Sequence, residues 1–332
     1  MKNTMEALNS MKPPRTDSFK TQFYEDVVAG LRASTKHLDA KYFYDAEGDK
    51  LFQQIMNCKE YYLTNCEMEI FTHQTKAIAD VVISGGQPFD LIELGAGDAT
   101  KSIHLLKNLL AQKADFTYLP IDISGHVIAM LNATLPVTLP GLKIQGLQGE
   151  YFQMLKKAAT LSNHRKVVLF MGANIGNMPV KDAQAFCEEL RYHLNPGDMV
   201  LIGFDLKKNP ETILAAYNDS QGITKAFNLN LLTRINRELG ADFNVDQFHH
   251  YATYDPETGA CKSYLVSLKQ QDIHLPDTEV IRFDKDEYIW MEISQKYTRE
   301  QIAGFAKRSG FRSVTDFSDS KDWFVDTVWV AE

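Results

Sequence analysis

The stretch that most constrains this chain is Phe89-Asp90-Leu91-Ile92-Glu93-Leu94-Gly95-Ala96-Gly97-Asp98-Ala99-Thr100-Lys101. An apolar run reaches an acid, Gly-x-Gly follows, and an amphipathic helix carrying Ile103, Leu105, Leu106, Leu109 and Leu110 begins at once. That order reads as the first strand, turn and first helix of a doubly wound α/β domain. Gly95 and Gly97 permit a sharp turn and let a ligand approach the backbone closely. A plain strand-to-helix turn would also use two glycines, so the motif counts only in context.

Two details bear on the ligand. A dinucleotide fingerprint has a third small residue three places after its second glycine, and this chain has Thr100 there. A pyrophosphate would sit poorly beside Glu93 and Asp98, whereas a cationic or zwitterionic ligand would not. S-adenosylmethionine (SAM) has an amino-acid end, a sulfonium, a ribose and an adenine, and no phosphate. The next strand, 116–121, is followed by Asp122, whose carboxylate can accept from both ribose hydroxyls. Helix capping ahead of Ser124 is the alternative use of Asp122.

A chain of 332 residues suits one large or two modest domains. The net charge of -8, with no dense basic cluster, excludes a nucleic-acid surface. Apolar runs are too short for a transmembrane helix, so no membrane partner is expected. Residues 1–20 are polar, contain Pro13-Pro14 and lack an apolar core, and read as a loose tail rather than a signal peptide. Cys58, Cys66, Cys187 and Cys261 lie far apart, which suits reduced thiols in a cytoplasmic protein. The histidines show no zinc spacing. His249 and His250 would point to opposite faces of a strand, and no metal is expected.

Helical spacing covers 18–34, a short helix carries Leu51, Phe52 and Ile55, and a longer one runs from Cys66 to about Ile83. Two aromatic clusters, 41–44 (strand-like) and 60–64, flank the short helix. They either pack this region together or turn tyrosine hydroxyls toward a pocket. After Asp122 come a helix from Ser124 to Leu135, a third strand from Leu142 to Gln148, and Gly149-Glu150-Tyr151-Phe152 at its end. An acid and an aromatic there suit an adenine amino group and ring face, or simply start a helix. The apolar strand 166–171 leads into Gly172-Ala173-Asn174-Ile175-Gly176-Asn177, and a fifth strand spans 199–203. From Lys207 to about Ile289 the alternation breaks into an α+β segment with a long helix, Thr224 to Leu239, ended by Gly240. A helix from Thr298 to Ser309 and two closing strands complete the chain, the strands forming an antiparallel hairpin at the sheet edge.

These stretches together resemble the SAM-dependent, histidine-specific Nα-methyltransferases of ergothioneine biosynthesis and their relatives, the fungal ergot-alkaloid N-methyltransferases. The matching segments are 41–45, 60–64, 93–97 with Lys101, 172–177, 215–219, the Asn-rich helix 226–240 and 292–297, in order over nearly the whole chain. The resemblance implies an α/β class I SAM-dependent methyltransferase fold, a Rossmann-like seven-stranded sheet. It assigns 66–206 plus 297–332 to the SAM-binding domain and 1–65 plus 207–296 to a second, α+β substrate-binding domain. By position, Gly95, Lys101, Asp122, Glu150 and Tyr151 match residues that hold SAM. Tyr61, Asn177 and Tyr217 match residues that bind the substrate's carboxylate and amino group. Glu292 and Ser294 match the pair that recognises an imidazole, and Tyr44 matches a tyrosine near the methyl-accepting nitrogen. One departure stands out. The family often has Met two residues before the Leu-Val-Ser of the late strand, where this chain has Ser263, a smaller and more polar wall.

The expected activity is Nα-methylation of a free amino acid, L-histidine first, to Nα-trimethylhistidine. Another amino acid or amine is the alternative. A SAM-binding protein without catalysis and a nicotinamide oxidoreductase are the competing classes. A monomer with a small-molecule substrate is the expected state. The chemistry fits the residue types. An α-amino group with a pKa of about 8 must be neutral to attack, so hydroxyl and amide acceptors suit it better than a carboxylate.

Overall fold

The computed structural model describes residues 15–332. Most of the polar stretch 1–20 therefore lies outside the described residues. The chain opens with four helices, α1 (Arg15–Arg32), α2 (Ala46–Met56), α3 (Tyr62–His73) and α4 (Thr75–Val82). Alternation then runs β1 (Phe89–Leu94), α5 (Ser102–Ala111), β2 (Phe116–Asp122), α6 (Gly125–Thr138), β3 (Leu147–Gln148) and α7 (Tyr151–Ala159). It continues with β4 (Arg165–Phe170), α8 (Val180–Tyr192) and β5 (Met199–Asp205). Next come α9 (Pro210–Ala216), α10 (Ile223–Leu239), β6 (Phe248–Tyr254) and β7 (Ala260–Ser267). The chain closes with β8 (Gln271–His274), β9 (Val280–Phe283), β10 (Tyr288–Gln295), α11 (Arg299–Arg308), β11 (Phe311–Ser318) and β12 (Phe324–Ala331).

The contacts divide the chain into two compact units. The larger holds Lys59–Ile213, Tyr254–Cys261 and Ile293–Glu332. Its seven-stranded sheet has the order β11-β12-β5-β4-β1-β2-β3. Strands β1 to β5 pair in parallel, and β12 runs antiparallel to both β5 and β11. This is the class I methyltransferase topology. Every residue of β1 and β5 is buried, as expected of strands covered on both faces. The strand order reverses between β1 and β4, and such a switch point opens a ligand crevice at the carboxyl ends of the strands. The loops at 95–101 and 171–177 leave the sheet there. Helix α11 starts at a capping box between Thr298 and Gln301.

The smaller unit holds residues 15–58, Leu214–Thr253 and Lys262–Glu292. Helix α10 runs through this unit and is ended by Gly240 at φ 77. Its buried stripe carries Phe227, Leu231, Ile235 and Leu239, joined by Asn228, Asn230 and Arg234. Asp45 caps α2 by accepting from Gly48 N at 2.7 Å, and also accepts from Asn230 Nδ2 at 2.9 Å and from Arg237 at 2.5 Å. The order β10-β7-β6 forms a three-stranded sheet, and β8 pairs with β9 in a two-stranded one.

Four local expectations are corrected. The stretch 41–44 is not strand-like: Ala40–Tyr42 is a 3₁₀ turn, with Tyr42 Oη donating to Asp26 at 2.6 Å. The helix expected from Cys66 to Ile83 is two helices, broken at Gln74 (φ -116, ψ 8). The third strand is reduced to Leu147–Gln148 plus an isolated bridge between Tyr118 and Ile144. An extra strand, β8, is present where none was read. Among the described residues no helix is long and apolar enough to cross a membrane, and no group of three or more His, Cys, Asp or Glu is placed to hold a metal. The four cysteines are free and buried.

Candidate functional site

In the larger unit the glycine turn forms a cavity wall. Glu93, Gly95, Thr100, Lys101, Gly172 and Asn174 are among its lining residues. Gly95 has φ 72, and an ideal Cβ there would lie 2.8 Å from Tyr151 Oη, so a side chain would close the gap between turn and tyrosine. Gly97 has φ 53 and faces open space, with nothing within 4 Å of an ideal Cβ. Asp122 ends β2 and reaches back to this turn. Its Oδ2 accepts from Gly97 N at 3.3 Å and its Oδ1 from Ser124 N at 2.9 Å. The capping of α6 falls to Ser124, whose side chain accepts from Val127 N.

Lys101 lies against Gly172, 3.6 Å from an ideal Cβ there, and its ammonium pairs with Glu67. Burial acts against its charge, but the pull of Glu67 outweighs that and holds the lysine above its ordinary value. Beneath the turn, burial pushes the Glu93 carboxyl up to about 7, opposed by its bond from Tyr118 Oη and by Ser102 and Lys101. The structure thus gathers Gly95, Lys101, Asp122 and Tyr151 around one turn. Glu150 is exposed at the start of α7, next to Tyr151. Of the residues read as substrate ligands, Asn177 is exposed and donates to Asn174 Oδ1 at 3.4 Å, and Tyr61 precedes α3. Ser294 is buried, and its hydroxyl accepts from Lys296 Nζ at 2.6 Å. That lysine also pairs with Asp205 at 2.7 Å, to which Tyr62 Oη donates at 2.8 Å.

The residues around this cavity fit SAM. The glycine surfaces admit close approach, one cation lines the cavity, and Asp122 stands at the end of β2. No nest of basic side chains suited to a pyrophosphate surrounds it among the described residues.

The smaller unit holds the other three. Tyr44 is 49% exposed, with its ring edge-on to Phe52 and Phe227 at centroid distances of 5.6 and 5.9 Å. Tyr217 is buried at the end of α9. Glu292 accepts from Asn228 Nδ2 at 3.3 Å, and that amide also donates to Thr224 O at 3.1 Å. Strands β10, β7 and β6 are successive neighbours and carry Glu292, Ser263 and His250. Asn228 Oδ1, Ser263 Oγ and His250 Nε2 are buried polar atoms with no hydrogen-bond partner among the described residues. Burial pushes His250 down to about 4, helped by His249, so its ring is neutral at physiological pH. The sequence marks the Asn-rich helix but not Asn228 or His250 as carrying buried polar atoms unpartnered among the described residues. The signal was a buried-stripe position, four residues after Thr224, filled by an amide.

Residues 23–331 match the family described as histidine-specific methyltransferase, SAM-dependent. The chain is 32% identical over 304 residues to a histidine N-alpha-methyltransferase of Mycolicibacterium smegmatis, covering 91% of this chain and 93% of that protein. It is 26% identical over 289 residues to ergothioneine biosynthesis protein 1 of Schizosaccharomyces pombe, covering 85% of this chain and 37% of that longer protein. It is also 26% identical over 327 residues to a 4-dimethylallyltryptophan N-methyltransferase of Epichloe festucae var. lolii, covering 92% and 94%. With a class I sheet, a cavity at its glycine turn and a match over nearly its whole length, this chain belongs to the histidine-specific, SAM-dependent methyltransferase family.

Proposed function

We propose that the chain transfers the methyl group of SAM to the α-amino nitrogen of a free amino acid, with L-histidine the first choice and Nα-trimethylhistidine the product, as in ergothioneine biosynthesis. The observation that carries the histidine reading is Glu292, held by the buried amide of Asn228 on a sheet that also carries Ser263 and His250. A carboxylate takes an imidazole N–H in a charge-assisted bond, and Ser294, two residues along β10, is the proposed second contact. Gly95, Lys101, Asp122, Glu150 and Tyr151 are the proposed SAM contacts. Tyr61, Asn177 and Tyr217 are assigned to the amino acid's carboxylate and amine, and Tyr44 to the accepting nitrogen.

SAM supplies the electrophilic methyl group. The protein's own work is to orient a neutral amine in line with it, and orientation is worth several kcal/mol in such a displacement. Tyrosine and asparagine oxygens can accept an N–H without the full charge that would keep the amine protonated.

Ser263 favours a second reading. A serine with an unpartnered hydroxyl leaves room for a larger side chain, and one relative is named for a prenylated tryptophan. The test is mass spectrometry of an amino-acid panel incubated with enzyme and SAM. Histidine gaining up to three methyl groups supports the first reading, and methylation of tryptophan with histidine untouched supports the second.

A further inference from the structure

The cavity at the glycine turn rests on a buried carboxyl pair that the functional reading leaves unused. Glu67, on α3, is 1% exposed, and Asp326, in the middle of β12, is 0% exposed. Both reach one spot on β5: an ideal Cβ on Gly203 would lie 2.6 Å from Glu67 Oε1 and 3.0 Å from Asp326 Oδ1. Glycine there leaves the space in which the two carboxyls meet. Gly172 N donates to Glu67 Oε1 at 2.7 Å, and Lys101 pairs with the other oxygen. As a carboxylate, Asp326 has no hydrogen-bond partner for either oxygen among the described residues. Two ionised carboxylates so close, dry and facing one ammonium would leave an uncompensated buried charge, which proteins avoid by keeping a proton on one of them.

We infer that Asp326 is a neutral acid donating a hydrogen bond to Glu67, and that this pair positions Lys101 as an anion-binding ammonium in the wall of the cofactor cavity. The inference rests on Lys101 facing SAM and adds what aims it. Burial and then the Glu67 charge push the Asp326 carboxyl well above its ordinary value, with Lys101 pulling the other way. Glu93 also faces Lys101 and Glu67, and burial holds part of its population protonated near neutral pH. With Asp326 neutral, the charges of Glu67 and Lys101 cancel. An ammonium has three N–H donors, and among the described residues Glu67 is the one hydrogen-bond partner of this one, which leaves donors for an anionic group of a ligand. A second ionised carboxylate would turn the same wall against that group.

The experiment is calorimetric titration of SAM into the full-length protein, with melting curves to verify that each variant is folded. Lys101→Met is expected to raise the Kd about 10- to 100-fold, the loss of a bond to a charged group. Glu67→Gln, which keeps the lysine but removes what aims it, is expected to raise it about tenfold. Asp326→Ala weakens binding, and Asp326→Asn, a neutral donor of the same shape, restores most of it. The infrared difference spectrum at neutral pH, wild type minus Asp326→Asn, should show a protonated-carboxyl band, the Glu93 contribution being common to both. If Lys101→Met leaves the Kd unchanged, the cofactor reading of Lys101 falls. If that variant weakens SAM but Glu67→Gln does not, the cofactor reading stands and this inference fails. Absence of that band from the difference spectrum would refute the neutral Asp326 directly, whatever the affinities do.

Discussion

Two lysines, one buried and one half-buried, sit at opposite ends of the parallel part of the large sheet, and they are held in different ways. Lys166, at the start of β4, is paired in register with Asp90 of β1. Its ammonium reaches Asp90 Oδ2 at 2.7 Å, Ser162 O at 2.9 Å and Ser162 Oγ at 3.2 Å, so three donors have three acceptors. Lys101, beyond the carboxyl end of β1, is tied to Glu67 and keeps a quarter of its side chain exposed to the cavity. A saturated ammonium clamps strands. An ammonium tied at one corner, beside a cavity, is available to a ligand.

The largest expected effect lies at the saturated end. Lys166→Met strands Asp90, buried, and should cost about 3–5 kcal/mol of stability, read by urea unfolding. SAM affinity of the folded protein should hardly change, and a large loss of affinity would break the contrast between the two ends. The smaller unit offers the same contrast in carboxylates. Asp45 is held by a backbone amide, an asparagine and an arginine and caps α2, whereas Glu292, on the sheet proposed to read the substrate ring, accepts from Asn228. If Glu292 takes the imidazole N–H, Glu292→Ala should cost histidine about 2–4 kcal/mol in kcat/KM. The check is kcat/KM for histidine, phenylalanine and tryptophan in both proteins. Equal small losses across the three would show that Glu292 does not read the ring.

Lys101→Met should cost less stability than Lys166→Met, about 1–3 kcal/mol, because Glu67 keeps Gly172 N and its carboxyl neighbour. Equal losses for the two lysines, measured by urea unfolding, would make Lys101 a clamp as well.

The sheet's order and the glycine turn were legible because apolar runs, Gly-x-Gly and the closing Asp122 are local signals. The Asn-rich helix 226–240 was legible for the same reason, with Gly240 as its stop. What stayed hidden depends on distance along the chain. Glu67 reads as a surface helix glutamate and Asp326 as a polar position in a closing strand, and nothing local says that they meet over Gly203. The break at Gln74 was missed because Thr75, which would continue a helical pattern, turns its hydroxyl back to Phe71 O and starts a new helix. The aromatic stretch 41–44 looked like a strand because its rings pack on α10 and α1 rather than on a pleat, Phe43 against Phe227 and Tyr42 against Phe23. The third strand is shorter than its apolar run suggests: Tyr118 N donates to Lys143 O and Tyr118 O accepts from Gln145 N, one bridge where a ladder was expected.

The smallest effect has the clearest sign. Burial raises the folded-state pKa of Asp326 above the unfolded value of about 3.9. Between those two values the folded protein binds more protons than the unfolded chain, so stability falls as pH rises past about 4. The penalty is complete once pH exceeds the folded pKa. Asn at this position binds no proton in either state and carries no such slope. The melting temperature of Asp326→Asn minus that of wild type should therefore grow from pH 4 toward pH 8. Glu93 adds a slope of the same sign, but to both proteins, and it drops out of the difference. A gap that stays flat, or closes with rising pH, would mean that Asp326 is ionised in the folded state. The wall behind Lys101 would then carry two negative charges, and the contrast with the fully paired Lys166 would lose its explanation.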